Sequence, residues 1–396
     1  MKIGIFTSDF PYKEPFIDES TKSGRWGGVG EVVYQWALGL NALGHEIKIF
    51  TVSSDGKDQN YKYENIEVFR YGRTFQIAET GISLRLLWKP IHHDLDVVNA
   101  HRGVPLGALS AYIYTLFRRA PLILSIHGPY LPNESYQGSS VSKKTAMIFF
   151  RKVFYDIILS KARVITALST QCVDEDAYLP KYRSKIEVIP NGLHLNEYNV
   201  RYSKEKCRKL LKLPLTDPII LYLGSLEIRK GPQILIKSLP NIIKSHSNAK
   251  IIFVGDGKIR NDLEKLSENL GVESSIIFCG FIDDKYKKNY YYKSSDVFCL
   301  PSFVEGYPMV LLEASAFNLP SVVSDIKPHQ AIIRDKFNGL LFKCGDPDDL
   351  ACKINLLLAD NELRNTLGHN ARINIYDQTW DNIVKKVEFV FTRLSK

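Results

Sequence analysis

Short apolar runs alternate with amphipathic stretches along the whole chain. The first apolar run, KIGIFTS, is followed by a stretch whose apolar side chains recur at helical spacing from Val29 to Leu43, and then by the run EIKIFTVS. Such an alternation of strand and helix is typical of parallel sheets with helices on both faces. The pattern therefore predicts an α/β fold built from doubly wound, Rossmann-like domains.

The apolar runs form two series, separated by the lysine-rich connector NEYNVRYSKEKCRKLLKLPLTD. We predict two Rossmann-like domains that face each other across a cleft, an N-terminal domain of residues 1–197 and a C-terminal domain of residues 198–396. The pattern leaves open whether the last helix, at about residues 379–396, packs on the second domain or back on the first. Ligands of doubly wound sheets bind beyond the carboxyl ends of the strands, so the loops after the strands are the candidate sites.

Three glycine-containing loops follow predicted strands: GRWGGVGEVV, LYLGSLEIRKG and FVGDG. Glycine lets backbone N–H groups come close to a ligand, and the N-terminus of a following helix favours an anion. In the second loop Arg229 and Lys230 add two cations, which suits a diphosphate. An ordinary turn is the alternative for each loop, and Arg229 is equally compatible with a side chain that faces solvent.

Two carboxylates lie in the apolar segment PSFVEGYPMVLLEASAF. Pro308 suits the first position of a helix, which places Glu305 on the preceding loop and Glu313 inside the helix. In a continuous helix, residues eight positions apart are about 12 Å apart along the axis. Carboxylates at that distance are too far apart to share one proton or one metal ion. The spacing favours two acceptors along one ligand, and a carboxylate that is paired locally is the alternative.

Two strand-like runs of the first domain end in histidine. His101 ends VVNAH and His127 ends SIH. A lone histidine is more often a structural hydrogen-bonding residue than a catalyst. The matching positions at ligand-facing strand ends favour a functional role for His127.

Charge and composition narrow the function classes. The chain of 396 residues has a formal net charge of +9, which suits acidic partners such as nucleotide phosphates or anionic lipid. The basic residues are scattered and show no nucleic-acid-binding motif, so we expect no nucleic acid partner. No apolar run approaches the length of a transmembrane helix, the start MKIGIFTSDF does not match a signal peptide, and we expect a cytoplasmic protein. The six cysteines lack metal-ligand spacing and are expected to be reduced thiols.

The segment Lys143–Lys161 combines dense apolar and aromatic residues with five basic side chains. Two interpretations stay open. The segment lies on an anionic membrane surface and makes the protein peripheral, or it is an internal helix of the first domain, because its apolar residues run nearly all round.

Six sequence segments occur in this order along the chain: GGVGEVVYQWALGLNALGHEIKIFT, SIHG, VIPNG, GSLEIRKG, FVGDG and EGYPMVLLEASAFNLPSVVSD. Together they resemble the retaining GT-B glycosyltransferases of family four, whose hallmark is an E-x7-E motif. The resemblance covers nearly the whole chain. It implies a nucleotide-sugar donor held mainly by the second domain, an acceptor held by the first, and no metal ion or other cofactor.

The resemblance also implies roles for single residues. Glu305 would contact the donor sugar, Glu313 the nucleotide ribose, and Lys230 would neutralise the diphosphate leaving group. From the first domain, Gly28 would border the phosphates and the acceptor, and His127 would lie near the sugar. The catalytic set is thus Glu305, His127 and Lys230, and the donor-binding set is Glu313, Arg229, Gly224, Ser225, Gly28, Gly255, Gly306, Tyr307 and Pro308.

The chain departs from the family pattern at three positions. Ser225 stands where the family often has an arginine, His194 where an aspartate is common, and Tyr307 where a phenylalanine is common. Whether Arg229 replaces the missing cation stays open, and the hydroxyl of Tyr307 is able to touch the donor.

We therefore expect a metal-independent hexosyltransferase that moves a sugar, with retention, from a UDP- or GDP-sugar to a hydroxyl of a glycan or lipid-linked acceptor in cell-surface polysaccharide or glycolipid synthesis. A non-catalytic nucleotide-sugar-binding protein is the first alternative. A nicotinamide-dependent oxidoreductase is the second, although it would need a tight G-x-G-x-x-G loop that both domains lack.

Overall fold

The computed structural model describes residues 1–8, 10–11, 16, 28–53, 56–77, 80–102, 105–130 and 151–395. The chain divides into two compact units, one formed by Met1–Gly192 with Trp380–Lys396 and the other by Leu193–Thr379. The sequence pattern placed a single boundary near residue 197. Gly24, Gly27 and the N-terminal part of the segment Lys143–Lys161 lie outside the described residues.

The first unit is built on an eight-stranded sheet with a separate two-stranded ribbon. Its strands are β1 (Lys2–Phe6), β2 (Glu46–Val52), β3 (Gln59–Tyr63), β4 (Ile66–Tyr71), β5 (Phe75–Ile77), β6 (Thr80–Ile82), β7 (Val97–Arg102), β8 (Leu122–Ile126), β9 (Val164–Ala167) and β10 (Ile186–Val188). The sheet order is β10-β9-β8-β7-β1-β2-β4-β3, and β5 pairs with β6. Neighbouring strands of the sheet run parallel except for the edge pair β3 and β4, which the sequence pattern did not predict.

The helices of the first unit lie between these strands along the chain. They are α1 (Gly28–Ala42), α2 (Arg85–Trp88), α3 (Pro105–Arg118), α4 (Asp156–Lys161) and α5 (Thr170–Glu175), with short helical turns at Lys89–His92, Arg151–Tyr155 and Leu179–Lys185. The apolar side of α1, with Val33, Trp36 and Leu40, shares one buried core with Ile3 and Ile5 of β1. The helical spacing that the sequence shows therefore marks the face of α1 that packs on the sheet.

The second unit contains a six-stranded, fully parallel sheet. Its strands are β11 (Ile219–Leu223), β12 (Lys250–Val254), β13 (Ile276–Phe278), β14 (Val297–Leu300), β15 (Ser321–Ser324) and β16 (Leu340–Phe342), in the order β13-β12-β11-β14-β15-β16. Its helices are α6 (Lys204–Leu210), α7 (Pro232–Ser245), α8 (Arg260–Asn269), α9 (Lys285–Ser294), α10 (Met309–Ala316), α11 (Lys327–Gln330), α12 (Pro347–Ala359) and α13 (Asn361–Asn374), with short turns at Leu195–Tyr198, Ile228–Lys230 and Glu273–Ser275.

This strand order positions the candidate site. Strand order reverses between β11 and β14, which are neighbours in the sheet although two strands and three helices separate them in sequence. In doubly wound sheets, the loops after such a pair diverge and leave a crevice in which ligands bind. The loops that follow β11 and β14 carry the GSLEIRKG and EGYP segments.

The last helix, α14 (Trp380–Leu394), belongs to the first unit. A Cβ added to Gly39 of α1 would lie only 2.4 Å from Val384 Cγ2, so the two helices are in close contact. Arg393 Nη2 of α14 also donates to Glu187 Oε1 at 2.8 Å. The chain therefore returns to its first unit after completing the second.

The predicted α/β architecture of two doubly wound domains is confirmed for each unit. Strand β3 escaped prediction because its residues, QNYKY, are mostly polar and exposed and lack an apolar face. Within the described ranges, no helix is both long and apolar enough to span a bilayer.

Candidate functional site

A left-handed glycine ties the loop after β11 to the end of β14. Gly231 has φ +70°, and a Cβ at this position would lie 1.9 Å from the carbonyl oxygen of Pro301. Only glycine accommodates both the conformation and the close approach. A second tie is the hydrogen bond from Phe303 N to Arg229 O, of 2.8 Å. These contacts place Lys230 directly beside the loop that carries Glu305.

Lys230 and Glu305 form a largely buried ion pair at the centre of this region. Lys230 Nζ donates to Glu305 Oε1 and to Oε2, both at 2.7 Å. The side chains of Lys230 and Glu305 are 19% and 5% exposed. Ser302 Oγ donates a third hydrogen bond to Glu305 Oε1 at 2.7 Å. A lysine ammonium has three N–H donors, and with respect to the described residues one of them remains for a ligand.

These contacts fix the charge state of Glu305. Burial by itself would raise the pKa of Glu305, but the charge and hydrogen bonds of Lys230, with His329 and Ser302, outweigh it and hold the pKa below its ordinary value. Glu305 is therefore an ionised hydrogen-bond acceptor at neutral pH. A carboxylate of low pKa that is held by a cation is a weak base, so the arrangement suits the binding of hydroxyl groups more than proton abstraction.

Glu313 lies in a separate network on helix α10. Tyr292 Oη, from α9, donates to Glu313 Oε2 at 2.7 Å, and the Tyr292 ring is stacked on Phe317 with centroids 5.5 Å apart. Burial and then the charge of Glu313 raise the pKa of Tyr292 well above its ordinary value, so the phenol stays protonated. Glu305 and Glu313 thus have different hydrogen-bond partners.

The start of α10 differs by one residue from the prediction. The helix begins at Met309, and Pro308 is its N-cap, with an extended backbone of φ −74° and ψ 102°. Proline was expected at the first helical position, but its fixed φ is equally compatible with the extended N-cap. The N–H of Leu311 donates to Pro308 O at 3.0 Å, and the N–H groups of Met309 and Val310 have no acceptor inside the helix. In sequence, these N–H groups directly follow the loop that carries Glu305.

Gly224 and Gly255 bring the ends of β11 and β12 together. Gly255 has φ +145°, and a Cβ there would lie 1.9 Å from Gly224 O. Gly255 N also donates to Gly280 O at 2.8 Å. Close backbone packing is thus the visible reason for glycine at position 255, and an anion contact stays a prediction. The carbonyl oxygen of Ser225 accepts a hydrogen bond from Tyr222 Oη at 2.8 Å.

Two further predicted donor-binding side chains have protein partners. Arg229 Nε donates to Glu227 Oε2 at 2.8 Å, and Arg229 is 51% exposed, so it forms a surface pair. Tyr307 Oη donates to Gln378 Oε1 at 2.8 Å, and burial raises the pKa of Tyr307. Two more predicted donor-binding residues flank Tyr307 in sequence: Gly306 is half-buried and Pro308 is buried. A donor contact by any of these residues stays a prediction.

His127, a predicted residue of the first unit, lies at the carboxyl end of a strand. His127 follows β8, and its Nε2 lies 2.8 Å from Nδ1 of His101, the fifth residue of β7. His101 is fully buried, and burial together with His127 lowers its pKa well below the ordinary value, so it is neutral. Gly28 is the first residue of α1, and among the described residues no atom lies within 4 Å of a Cβ added to it. The pairing of the two histidines was not predicted.

Sequence reasoning missed Ser302 and Tyr292, which orient the two carboxylates. Ser302 directly follows the run DVFCLP, so its place at a strand end was a usable signal. Tyr292 is one of three consecutive tyrosines, and no local pattern shows which of them reaches Glu313. In the part of the chain that the structure describes, no group of three or more His, Cys, Asp or Glu side chains is arranged to hold a metal ion.

Comparisons with known proteins bear on the family of the chain. The model of the family "Glycosyl transferases group 1" matches residues 203–374, and that of "Glycosyltransferase Family 4" matches residues 26–197. An uncharacterized glycosyltransferase of Methanocaldococcus jannaschii is 29% identical over 99% of this chain and 98% of its own.

Two further proteins are similar to this chain. An N-acetylgalactosaminyltransferase of Campylobacter jejuni, named as acting on a diphosphoundecaprenol-linked glycan, is 26% identical over 84% of this chain and 86% of its own. The crystal structure of HepE of Anabaena in complex with UDP-glucose superposes with a TM-score of 0.74 at 17% identity and covers both chains completely. The two family models together take in most of the chain and meet near the connector between the two strand series. The chain therefore belongs to the family four, group 1 glycosyltransferases of the GT-B fold.

Proposed function

We propose that this glycosyltransferase is a metal-independent hexosyltransferase that moves a sugar, with retention, from a UDP- or GDP-sugar to a hydroxyl of a glycan or lipid-linked acceptor. The observation that carries the proposal is the Lys230–Glu305 pair, with N–O distances of 2.7 Å, beside the point where strand order reverses in the second unit. A cation with one remaining N–H donor suits a phosphate oxygen, and an ionised carboxylate suits a sugar hydroxyl.

In the proposed reaction, the bond between the anomeric carbon and the diphosphate oxygen breaks. The acceptor oxygen forms a new bond to the same face of that carbon, and its proton moves to the departing phosphate oxygen. Lys230 and the first N–H groups of α10 stabilise the negative charge on the diphosphate, most strongly when it has left the sugar. Glu305 serves as a holder of sugar hydroxyls, because the hydrogen bonds from Lys230 and Ser302 to its oxygens reduce its nucleophilicity.

Glu313 is proposed to bind the nucleotide ribose. Tyr292 occupies Oε2 of Glu313, which leaves Oε1 to accept from a ribose hydroxyl. The roles predicted for His127 and Gly28 of the first unit stay predictions. Arg229 is paired with Glu227, so we do not assign it to the diphosphate.

The acceptor class is supported by the relatives. The similar protein of Campylobacter jejuni is named as acting on a glycan linked to diphosphoundecaprenol. We therefore propose a lipid-linked or glycan acceptor, with the protein on the cytoplasmic side and in contact with the membrane surface. The exposed part of the segment Lys143–Lys161 would make that contact, because Tyr155, Ile158 and Leu159 are buried in the core of the first unit. Residues 143–150 lie outside the described residues. Membrane docking stays a prediction.

A panel of nucleotides in a thermal-shift assay tests the donor. A ligand at a hundredfold excess over its dissociation constant should raise the unfolding midpoint of a protein of this size by about 3 °C. We expect this shift with UDP-glucose or GDP-mannose and none with NAD. A shift with NAD and none with any nucleotide sugar would contradict the proposal. A non-catalytic binding protein would show the shift without release of nucleoside diphosphate.

Replacement Tyr292→Phe tests the ribose role of Glu313. The change removes the hydroxyl that orients Glu313 and keeps the ring stacked on Phe317. Loss of one such hydrogen bond should raise the dissociation constant of UDP or GDP about fivefold to tenfold, with little change in kcat at saturation. Titration calorimetry measures this. The control is Tyr290→Phe on the same helix, where the ring contacts Tyr202. Equal affinities of both variants would exclude the assigned role.

A further inference from the structure

A buried histidine lies behind Glu305 and has no part in the proposed reaction. His329, on α11, is fully buried. The strands β14 and β15 pair side by side, with Leu300 opposite Val323. Ser302 and Ser324 therefore stand at neighbouring strand ends, and α11 begins shortly after Ser324. Sequence reasoning did not single out His329.

The contacts of His329 define which nitrogen carries the proton. Nδ1 lies 2.8 Å from the carbonyl oxygen of Ser324, which is only able to accept a hydrogen bond. Nδ1 is therefore protonated. Burial lowers the pKa of His329 to about 4, although the Glu305 charge opposes this, so the ring is neutral at neutral pH. Nε2 is then an acceptor, and it has no hydrogen-bond partner among the described residues.

This proton sets the direction of a chain of hydrogen bonds. Ser324 Oγ lies 3.2 Å from His329 Nδ1 and contacts the carbonyl oxygen of Ser302. The single proton of Ser324 goes to that carbonyl, because the carbonyl is unable to donate and Nδ1 already carries a proton. Ser302 Oγ in turn donates to Glu305 Oε1 at 2.7 Å. His329 thus donates to Ser324, Ser324 Oγ donates to the backbone carbonyl of Ser302, and the side chain of Ser302 donates to the carboxylate.

These hydrogen bonds make the two carboxylate oxygens of Glu305 unequal. Oε1 accepts from both Ser302 and Lys230, whereas among the described residues Oε2 accepts from Lys230 alone. The orientation of the carboxylate therefore leaves Oε2 as the oxygen with room for another donor. A carboxylate that is held in this way is ordered before a hydroxyl arrives.

We propose that His329 is a positioning residue for Glu305: by donating from Nδ1 to Ser324 it fixes the contact between Ser324 and Ser302, and so aims Glu305 Oε2 at a hydroxyl of the donor sugar. The inference rests on the proposed function, because it needs Glu305 to bind the sugar part of the donor. If His329 only joins α11 to β15, its replacement would lower stability. It would not lower the kcat/KM for the nucleotide sugar while the affinity for the nucleoside diphosphate stays the same.

The test compares His329→Leu with His329→Asn. Asparagine places an amide N–H close to the position of Nδ1, whereas leucine has no donor. Unfolding midpoints, dissociation constants and kcat/KM are measured with the pairs UDP and UDP-glucose, and GDP and GDP-mannose. For the effective donor, His329→Leu should lower kcat/KM about tenfold or more and leave the affinity for the nucleoside diphosphate within about twofold. His329→Asn should recover most of the lost kcat/KM.

Three results would overturn the inference. One is an equal loss of affinity for nucleotide and nucleotide sugar in His329→Leu, and another is the absence of recovery in His329→Asn. The third is an unchanged kcat/KM in Ser324→Ala, which interrupts the same chain one step nearer to Glu305 and decides the question if His329→Leu does not fold. If the wild-type protein binds none of the four nucleotides, the proposed function fails and the inference fails with it.

Discussion

Replacement Lys230→Ala should lower kcat about a thousandfold, because it removes the cation that stabilises the leaving diphosphate in the transition state. Release of nucleoside diphosphate at saturating donor and acceptor measures the effect. The matched control is Lys237→Ala, which removes an exposed lysine from α7 in the same unit and should retain full activity. A loss below about tenfold in Lys230→Ala would exclude a role for Lys230 in charge stabilisation.

Stability has to be separated from chemistry in this variant. Lys230→Ala leaves the buried Glu305 carboxylate without its cation, which should cost about 3 kcal/mol of unfolding free energy. The double variant Lys230→Ala/Glu305→Gln removes the unpaired charge and should recover much of that loss. Its kcat should stay low, because the cation is still missing. Recovery of both stability and kcat would mean that the pair has only a structural role.

Replacement Glu305→Gln should lower kcat/KM for the nucleotide sugar about a hundredfold and leave binding of the free nucleoside diphosphate nearly unchanged. The neutral amide is a weaker acceptor for a sugar hydroxyl than the ionised carboxylate. Titration with UDP and UDP-glucose, or GDP and GDP-mannose, separates the two contributions. Glu227→Gln is the control, because Glu227 pairs with Arg229 at the surface of the same unit. Parallel losses for nucleotide and nucleotide sugar would contradict a sugar contact by Glu305.

The same variant has a pH signature. Because the pKa of Glu305 in the folded protein lies below its ordinary value of 4.5, ionisation of Glu305 stabilises the fold above pH 4.5, and this stabilisation is lost as the pH falls through the folded-state pKa. Wild type should therefore be more stable than Glu305→Gln at pH 7. The difference should shrink below pH 4.5, as chemical denaturation at several pH values would show. If the stability difference between wild type and Glu305→Gln is the same at every pH, the ionisation of Glu305 is not its cause.

The fold was largely predictable because both large sheets, apart from the exposed antiparallel edge strand β3, are parallel and buried. Their strands appear as short apolar runs, and helices such as α1 show a clear apolar face in sequence. The return of α14 to the first unit was left open, since an amphipathic helix shows which face it buries but not on which partner it packs. Edge strand β3 was missed because its residues are mostly polar and exposed, so the sequence shows no apolar run there.

The candidate site was predictable only in part. Lys230 and Glu305 were found because each stands in a loop after an apolar run, where ligands of such sheets bind. Their mutual contact spans 75 positions of sequence, and the chain from His329 to Ser302 depends on β14 lying beside β15. Such contacts are set by strand order, which a local pattern does not contain. The role of Arg229 was undecided for a different reason, because an exposed cation is able to pair with a neighbour such as Glu227 or with a ligand.

The central claim is that the second unit binds a nucleotide sugar beside the Lys230–Glu305 ion pair and transfers its sugar. The most direct test is the release of nucleoside diphosphate from UDP-glucose and GDP-mannose with a diphosphoundecaprenol-linked glycan as acceptor. Wild type and the folded double variant Lys230→Ala/Glu305→Gln are compared side by side. We predict release from one of the donors by wild type and a rate at least about a thousandfold lower for the double variant. Equal rates in the two proteins, or no release by wild type from either donor, would contradict the claim.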